Sequence, residues 1–200
     1  MRQSSTLKRL EAHLVAGAIY RRAELGRLSS NIDRHLVQLV ANGRLRKLSQ
    51  GLYMAPKETS FGEAPPDSHN LIRAFLKDDH FVVYGPSQFN ALGLGTTQLY
   101  NRLTVFNRKR VGEFTLAGRV YTFHRWREAP KQLTPEFLIV ELLNRLDELA
   151  EDRQSLLKQL REKISSFNRR RLIFAASRYG TLSTQKRMAT LFEESEGVKP

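Results

Sequence analysis

The stretch "SSNIDRHLVQLVANGRLRKLSQGLYMAP", residues 29–56, constrains the fold most, because its apolar period changes from helical to alternating within 28 residues. Ile32, Leu36, Leu39 and Val40 fall on one side of a helix, with Ser29 or Ser30 as its expected cap and Asp33 in its first turn. Asn42-Gly43 supplies the stop. "RLRKL" and "GLYMA" then alternate apolar and polar residues around Ser49, Gln50 and Gly51, the pattern of a two-stranded hairpin.

Upstream, Leu7, Leu10 and Leu14 predict a first helix over 6–15, capped by Ser5 or Thr6. An extended piece at 18–20 and a short helix over 22–26 follow. Helix, short helix, turn, helix, hairpin is the order of a winged helix-turn-helix, assigned here to residues 1–57. The Pro- and Gly-rich "KETSFGEAPPD" region predicts a linker over 58–66.

Residues 67–200 read as a mixed α+β unit that ends in stacked helices. A helix is expected over 68–77 and a strand at "HFVVYG". "SQFNALGLG" predicts a helix closed by Gly93 or Gly95. Strands follow at "NRLTVFNRKR", "EFTLAG" and "RVYTFHRW", the last two joined by a tight turn at Ala117-Gly118. From Pro135 onward four helical segments run almost to the end.

Charge points to the partner. The chain has 33 Lys and Arg against 20 Asp and Glu, a net charge of +13. The first 57 residues hold 11 of these basic groups and only Glu11, Glu24 and Asp33 as acids. A concentrated positive field attracts polyanions. In a helix-turn-helix the second helix enters the major groove with its N-terminal residues nearest the bases. Asn31, Arg34, His35 and Gln38 are expected to point away from the core and read base edges, and Ser29 and Ser30 suit a phosphate. Arg44, Arg46 and Lys47 on the hairpin, with Arg21 and Arg22 on the other side, are expected on the flanking backbone.

Enzymatic readings find no constellation. The histidines at 13, 35, 69, 80 and 124 lack the i, i+4 spacing of a zinc helix, and Asp78-Asp79-His80 stands alone. Gly93-Leu94-Gly95 lacks a dinucleotide loop's third glycine, and neither a phosphate loop nor a Gly-x-Ser-x-Gly elbow occurs. No cofactor or metal is expected. The absence of cysteine fits a reducing cytoplasm, and no apolar run approaches the roughly 18 residues of a membrane span. A second basic set, Lys158, Arg161, Lys163, Arg178, Lys186 and Arg187, is interleaved with Phe167, Phe174 and Tyr179.

"YRRAELGRLSSNIDRHLVQLVANGRLRKLSQGLYMAP" resembles the N-terminal domain of the AbiEi-type antitoxins of type IV toxin-antitoxin systems. The matching positions are Leu25-Gly26, Leu36, Leu39, Gly43, Leu45, Leu48, Gly51-Leu52-Tyr53 and Pro56. "VVYGPSQFNALGLGT" and "FTLAGRVYTFHR" look like the same family's second domain, so the likeness covers most of 5–126. Ser29-Ser30 departs from the family's Gly-Ser pattern at that point. The resemblance implies a winged-helix protein that represses its own operon at inverted repeats in double-stranded DNA, as a monomer binding cooperatively. It further implies an antitoxin that counteracts a nucleotidyltransferase toxin without a stable complex, in systems of phage resistance. The alternative from another class is a non-enzymatic protein-interaction module whose winged helix binds a partner and whose helical tail oligomerises.

Overall fold

A computed structural model describes residues 2–94, 102–126, 130, 132–147 and 153–196. Helix α1, Arg2–His13, begins ahead of the expected cap, so Ser5 and Thr6 lie inside it. Its Leu10 is buried, and Tyr20 ties down its end: the phenol oxygen accepts from Val15 N–H at 2.7 Å and donates to His13 O. Strand β1, Ile19–Arg21, leads into α2, Arg22–Leu25, and then α3, Ile32–Ala41. Gly43, at φ +67°, ends α3 in the left-handed region open to glycine. Strands β2, Arg46–Ser49, and β3, Leu52–Met54, pair antiparallel with a register slip between Lys47 and Ser49, and β1 joins to give the order β1-β3-β2. Leu10, Leu25, Ile32, Leu36, Leu39 and Leu45 form the first core.

The segment expected to be a linker has structure of its own. Strands β4, Glu58–Thr59, and β5, Gly62–Glu63, make a small hairpin, and Arg46 of β2 pairs with Glu63 at 2.8 Å. Helix α4, Ser68–Leu76, starts on Asp67, whose carboxylate accepts from Asn70 N–H at 2.8 Å.

Strands β6, Phe81–Tyr84, β7, Arg102–Asn107, β8, Gly112–Leu116, and β9, Arg119–Arg125, form one sheet in the order β6-β7-β9-β8. The β7–β9 pair is parallel and the others antiparallel. Helix α5, Pro86–Ala91, lies between β6 and β7 in the chain. Of the glycines expected to close it, Gly93 has φ +65°, and Gly95 lies outside the described residues. Ala117 and Gly118 both have positive φ, so the turn between β8 and β9 twists with its strands.

The second core crosses the boundary expected at residue 57. Leu48, Leu52 and Met54 of the β2–β3 hairpin pack with Leu71 and Ile72 of α4 and with Leu116 and Tyr121 of the sheet. Ala117 N–H also donates to Leu48 O at 2.9 Å.

Four helices close the chain: α6, Pro135–Asn144, α7, Arg153–Lys163, α8, Arg169–Tyr179, and α9, Leu182–Glu196, with a 3-10 turn at Ile164–Ser166. Every residue of α6 from Glu136 to Leu143 is buried, as befits a central helix that is apolar almost all round. It packs between the sheet and α8 in the third core, which includes Tyr84, Phe106, Leu172 and Met188. The architecture is mixed α+β with a helical stack at its C-terminal end. Among the described residues no helix is long and apolar enough to cross a membrane.

Candidate nucleic-acid interface

Helix α3 buries Ile32, His35, Leu36 and Leu39, an i, i+3, i+4, i+7 stripe. At 100° per residue, the opposite line runs through Arg34, Val37, Gln38 and Ala41, continued backwards to Ser30. Ser30, Asn31, Arg34 and Val37 are exposed and Gln38 half-buried. The Arg34 guanidinium has no ion-pair partner among the described residues. This line offers one Arg fork, one amide and one apolar methyl pair, the groups that meet guanine, adenine and a thymine methyl in a groove.

Two expected contact residues, His35 as a base reader and Ser29 at a phosphate, belong to the interior instead. His35 is 5% exposed and Ser29 is 6% exposed, and Ser29 Oγ lies 2.8 Å from His35 Nδ1. Ser29 Oγ also accepts from Asn31 N–H at 3.1 Å. This corrects the outward placement of His35, whose position in the sequence falls on the buried stripe. It also corrects the cap: Asn31 is the residue flanking α3, and Ser29 braces the turn before it.

The N-terminus of α3 opens on a depression of about 300 Å³ lined by Arg22, Ser30, Asn31, Ile32, Asp33 and Arg34. The first-turn amides there have no acceptor within the helix. Arg22 Nε donates to Asp33 Oδ1 at 2.6 Å, and a second guanidinium nitrogen meets Oδ2. That bidentate hydrogen bond holds the Asp33 carboxyl below the usual carboxylate range and raises Arg22 above its ordinary value. It also neutralises the acid that would otherwise repel an anion at the depression.

The remaining basic candidates divide. Arg21 is committed to the neighbouring helix: its Nε donates to Ala74 O at 2.7 Å, a second nitrogen reaches Arg73 O at 3.3 Å, and Glu24 sits 3.3 Å away. Arg46 is held by Glu63. With Arg22 held by Asp33, all three expectations of a free backbone-gripping charge are corrected by these partners. Arg44 and Lys47 are exposed and, among the described residues, without an ion pair. Arg27, exposed in the turn between α2 and α3, joins them.

Sequence reasoning passed over Val37, 70% exposed in the middle of the outward line. The 100° step would have placed it there. It also passed over Arg27, whose signal was its position between the two helices.

Three residues of the second basic set make contacts within the fold. Arg161 pairs with Glu194, Lys163 Nζ donates to Gly93 O at 2.7 Å, and Arg187 lies 3.6 Å from Asp147. Phe167 and Tyr179 pack against the third core, and Phe174 is exposed.

Among solved structures, the chain is similar to the RV2827C protein from Mycobacterium tuberculosis. The identity is 17% and the TM-score 0.64, over 96% of this chain and 76% of that one, a likeness of fold alone. No protein-family model and no curated protein matches the chain.

Proposed function

We propose that the chain is a DNA-binding autorepressor and the antitoxin half of a type IV toxin-antitoxin pair. Residues 1–57 act as a winged helix-turn-helix, with α3 in the major groove and the β2–β3 hairpin as the wing. The observation that carries this reading is the outward line of α3, with Arg34 at its N-terminal end and, among the described residues, Arg34, Arg27, Arg44 and Lys47 free of ion pairs. Arg34, Asn31 and Gln38 read bases, while Arg27, Arg44 and Lys47 meet phosphates. Arg21 and Arg46 act indirectly, by fixing the hairpin against α4 and the β4–β5 turn.

The antitoxin role rests on the resemblance of residues 20–56, 82–96 and 114–125 to the AbiEi type. On that reading the second unit opposes a nucleotidyltransferase toxin, and residues 1–57 set the level of both proteins.

The test is a gel shift with DNA from immediately upstream of the chain's own reading frame, against a scrambled duplex of equal length. Binding specific to the upstream duplex is expected, falling by about three decades between 50 and 200 mM salt if six phosphates are contacted. Equal affinity for both duplexes, or a flat salt response, removes the proposal.

A further inference from the structure

A cavity of about 430 Å³ lies between the start of α6 and one face of α8, away from α3. Helix α8 lines it with Arg171, Phe174 and Tyr179, and α6 with Glu136 and Phe137. Glu136 is 6% exposed, and among the described residues it makes no hydrogen bond and no ion pair. Its place in the first turn of α6 lets the helix dipole favour its negative charge, and its oxygens keep access to solvent at the cavity. Glu141, equally buried on the same helix, is treated differently: Tyr84 OH and Asn144 Nδ2 donate to its two oxygens at 2.7 and 2.9 Å. The fold satisfies one buried carboxylate and turns the other toward the cavity.

The walls and mouth narrow the ligand class. Phe137 and Tyr179 meet edge to face at 5.2 Å, and exposed Phe174 stands on the same side of α8 as Arg171. The Arg171 guanidinium pairs with no acid among the described residues, and Arg170 beside it is also exposed. An acceptor lies inside, aromatic rings line the wall and one cation, Arg171, stands at the rim. Organic cations are repelled at the rim, and simple acids are repelled inside. A suitable ligand presents neutral paired N–H donors, a flat body and an anionic tail.

We propose that this cavity binds a guanine nucleotide, with Glu136 accepting from the N1–H and exocyclic amine of the base and Arg171 holding the phosphate. Guanine presents two parallel donors to one carboxylate, a fork matched to its two oxygens. Adenine offers one donor beside an acceptor, which the carboxylate repels. The volume lies within the range of small-molecule sites. This site shares no residue with α3, so it stands or falls apart from DNA binding.

The experiment titrates the full chain with GMP, IMP, AMP and guanosine by calorimetry. Saturable GMP binding is expected, with IMP weaker for want of the exocyclic amine and AMP weaker by at least about tenfold. E136Q keeps the shape but swaps an acceptor for a donor, the complement of adenine's edge, and is expected to weaken GMP by about tenfold while tightening AMP. R171A is expected to weaken GMP and AMP but spare guanosine. Equal affinity for GMP and AMP, no heat at millimolar nucleotide, or a folded E136Q that binds GMP normally overturns the proposal. The GMP, IMP and AMP series on the unaltered chain decides the question even if E136Q does not fold.

Discussion

Tyr84 and Glu141 meet at 2.7 Å, phenol donor to carboxylate acceptor, where β6 lies against α6. Both are buried, and Arg145 completes the group by donating to Thr104 Oγ1 at 3.1 Å with its Nε 3.7 Å from Glu141. Burial first, and then the charge of Glu141, pushes the Tyr84 hydroxyl far above the ordinary phenol range. It therefore stays a donor at every physiological pH. Y84F removes that donor and is expected to cost about 1–2 kcal/mol, read as a lower urea midpoint with an unchanged slope. A variant as stable as the parent would show that Asn144 and Arg145 suffice for Glu141.

Ser29 is the hinge of the turn before α3, satisfying both Asn31 N–H and His35 Nδ1. S29A leaves the buried imidazole without that partner and frees the backbone that sets the start of α3. A loss of about 1–2 kcal/mol in chemical denaturation is expected, together with weaker binding to the upstream duplex. H35N, which retains polar atoms but not the ring, is expected to destabilise without altering base preference. A change in base preference would return His35 to the reading surface.

Asp78 carries the pH dependence. Hydrogen bonds from the backbone and then the side chain of His80 hold its carboxyl well below the usual range, with Lys109 Nζ 3.2 Å away adding to the effect. Lys109 also donates to Leu76 O and Lys77 O, so the group clasps the end of α4 to the segment after β7. A depressed carboxylate stabilises fully above its unfolded value, near 3.8, and loses that contribution as pH falls toward the folded value. D78N is therefore expected to melt lower than the parent at pH 7, with the gap steady to about pH 5 and closing below the usual carboxylate range. Thermal melts across that series check it, and a gap that widens in acid would refute the sign.

Arg34 and Lys47 separate the two kinds of contact proposed for DNA. R34A is expected to cost about 1–3 kcal/mol against one base pair and to relax preference there, whereas K47A weakens all duplexes alike and lowers the salt slope by about one. D33N releases Arg22 and removes an acid beside the first-turn amides. Its expected result is tighter binding with a steeper salt slope. Competition gel shifts at two salt concentrations measure all three.

What was legible in the chain was local. Ile32, Leu36 and Leu39 announced α3, Asn42-Gly43 its end, and Ala117-Gly118 the turn between β8 and β9, because these signals depend on neighbours a few residues away. The interior place of His35 was legible too, at i+3 from Ile32, although only the aliphatic Ile32, Leu36 and Leu39 mark the core side by composition. Arg21 and Arg46 were not legible, since their partners lie at Arg73, Ala74 and Glu63 and only the folded chain brings them near. The same holds for residues 58–66, whose Pro and Gly content marks a break in the pattern equally well for a tether and for the turns around β4 and β5. Glu136 gave no signal, because a first-turn Glu reads as an ordinary helix start until the cavity beside it is seen.

The hydrogen bond from Ala117 to Leu48, backed by the shared apolar core, ties the β2–β3 hairpin to the four-stranded sheet. If the chain binds inverted repeats as proposed, two protomers on facing repeats would carry their helical stacks at an azimuth dictated by the duplex pitch. Adding about five base pairs to the spacer rotates one stack to the far side of the double helix, and about ten bring it back. Cooperativity would rise and fall with that period, as it does not for a protein on a slack tether.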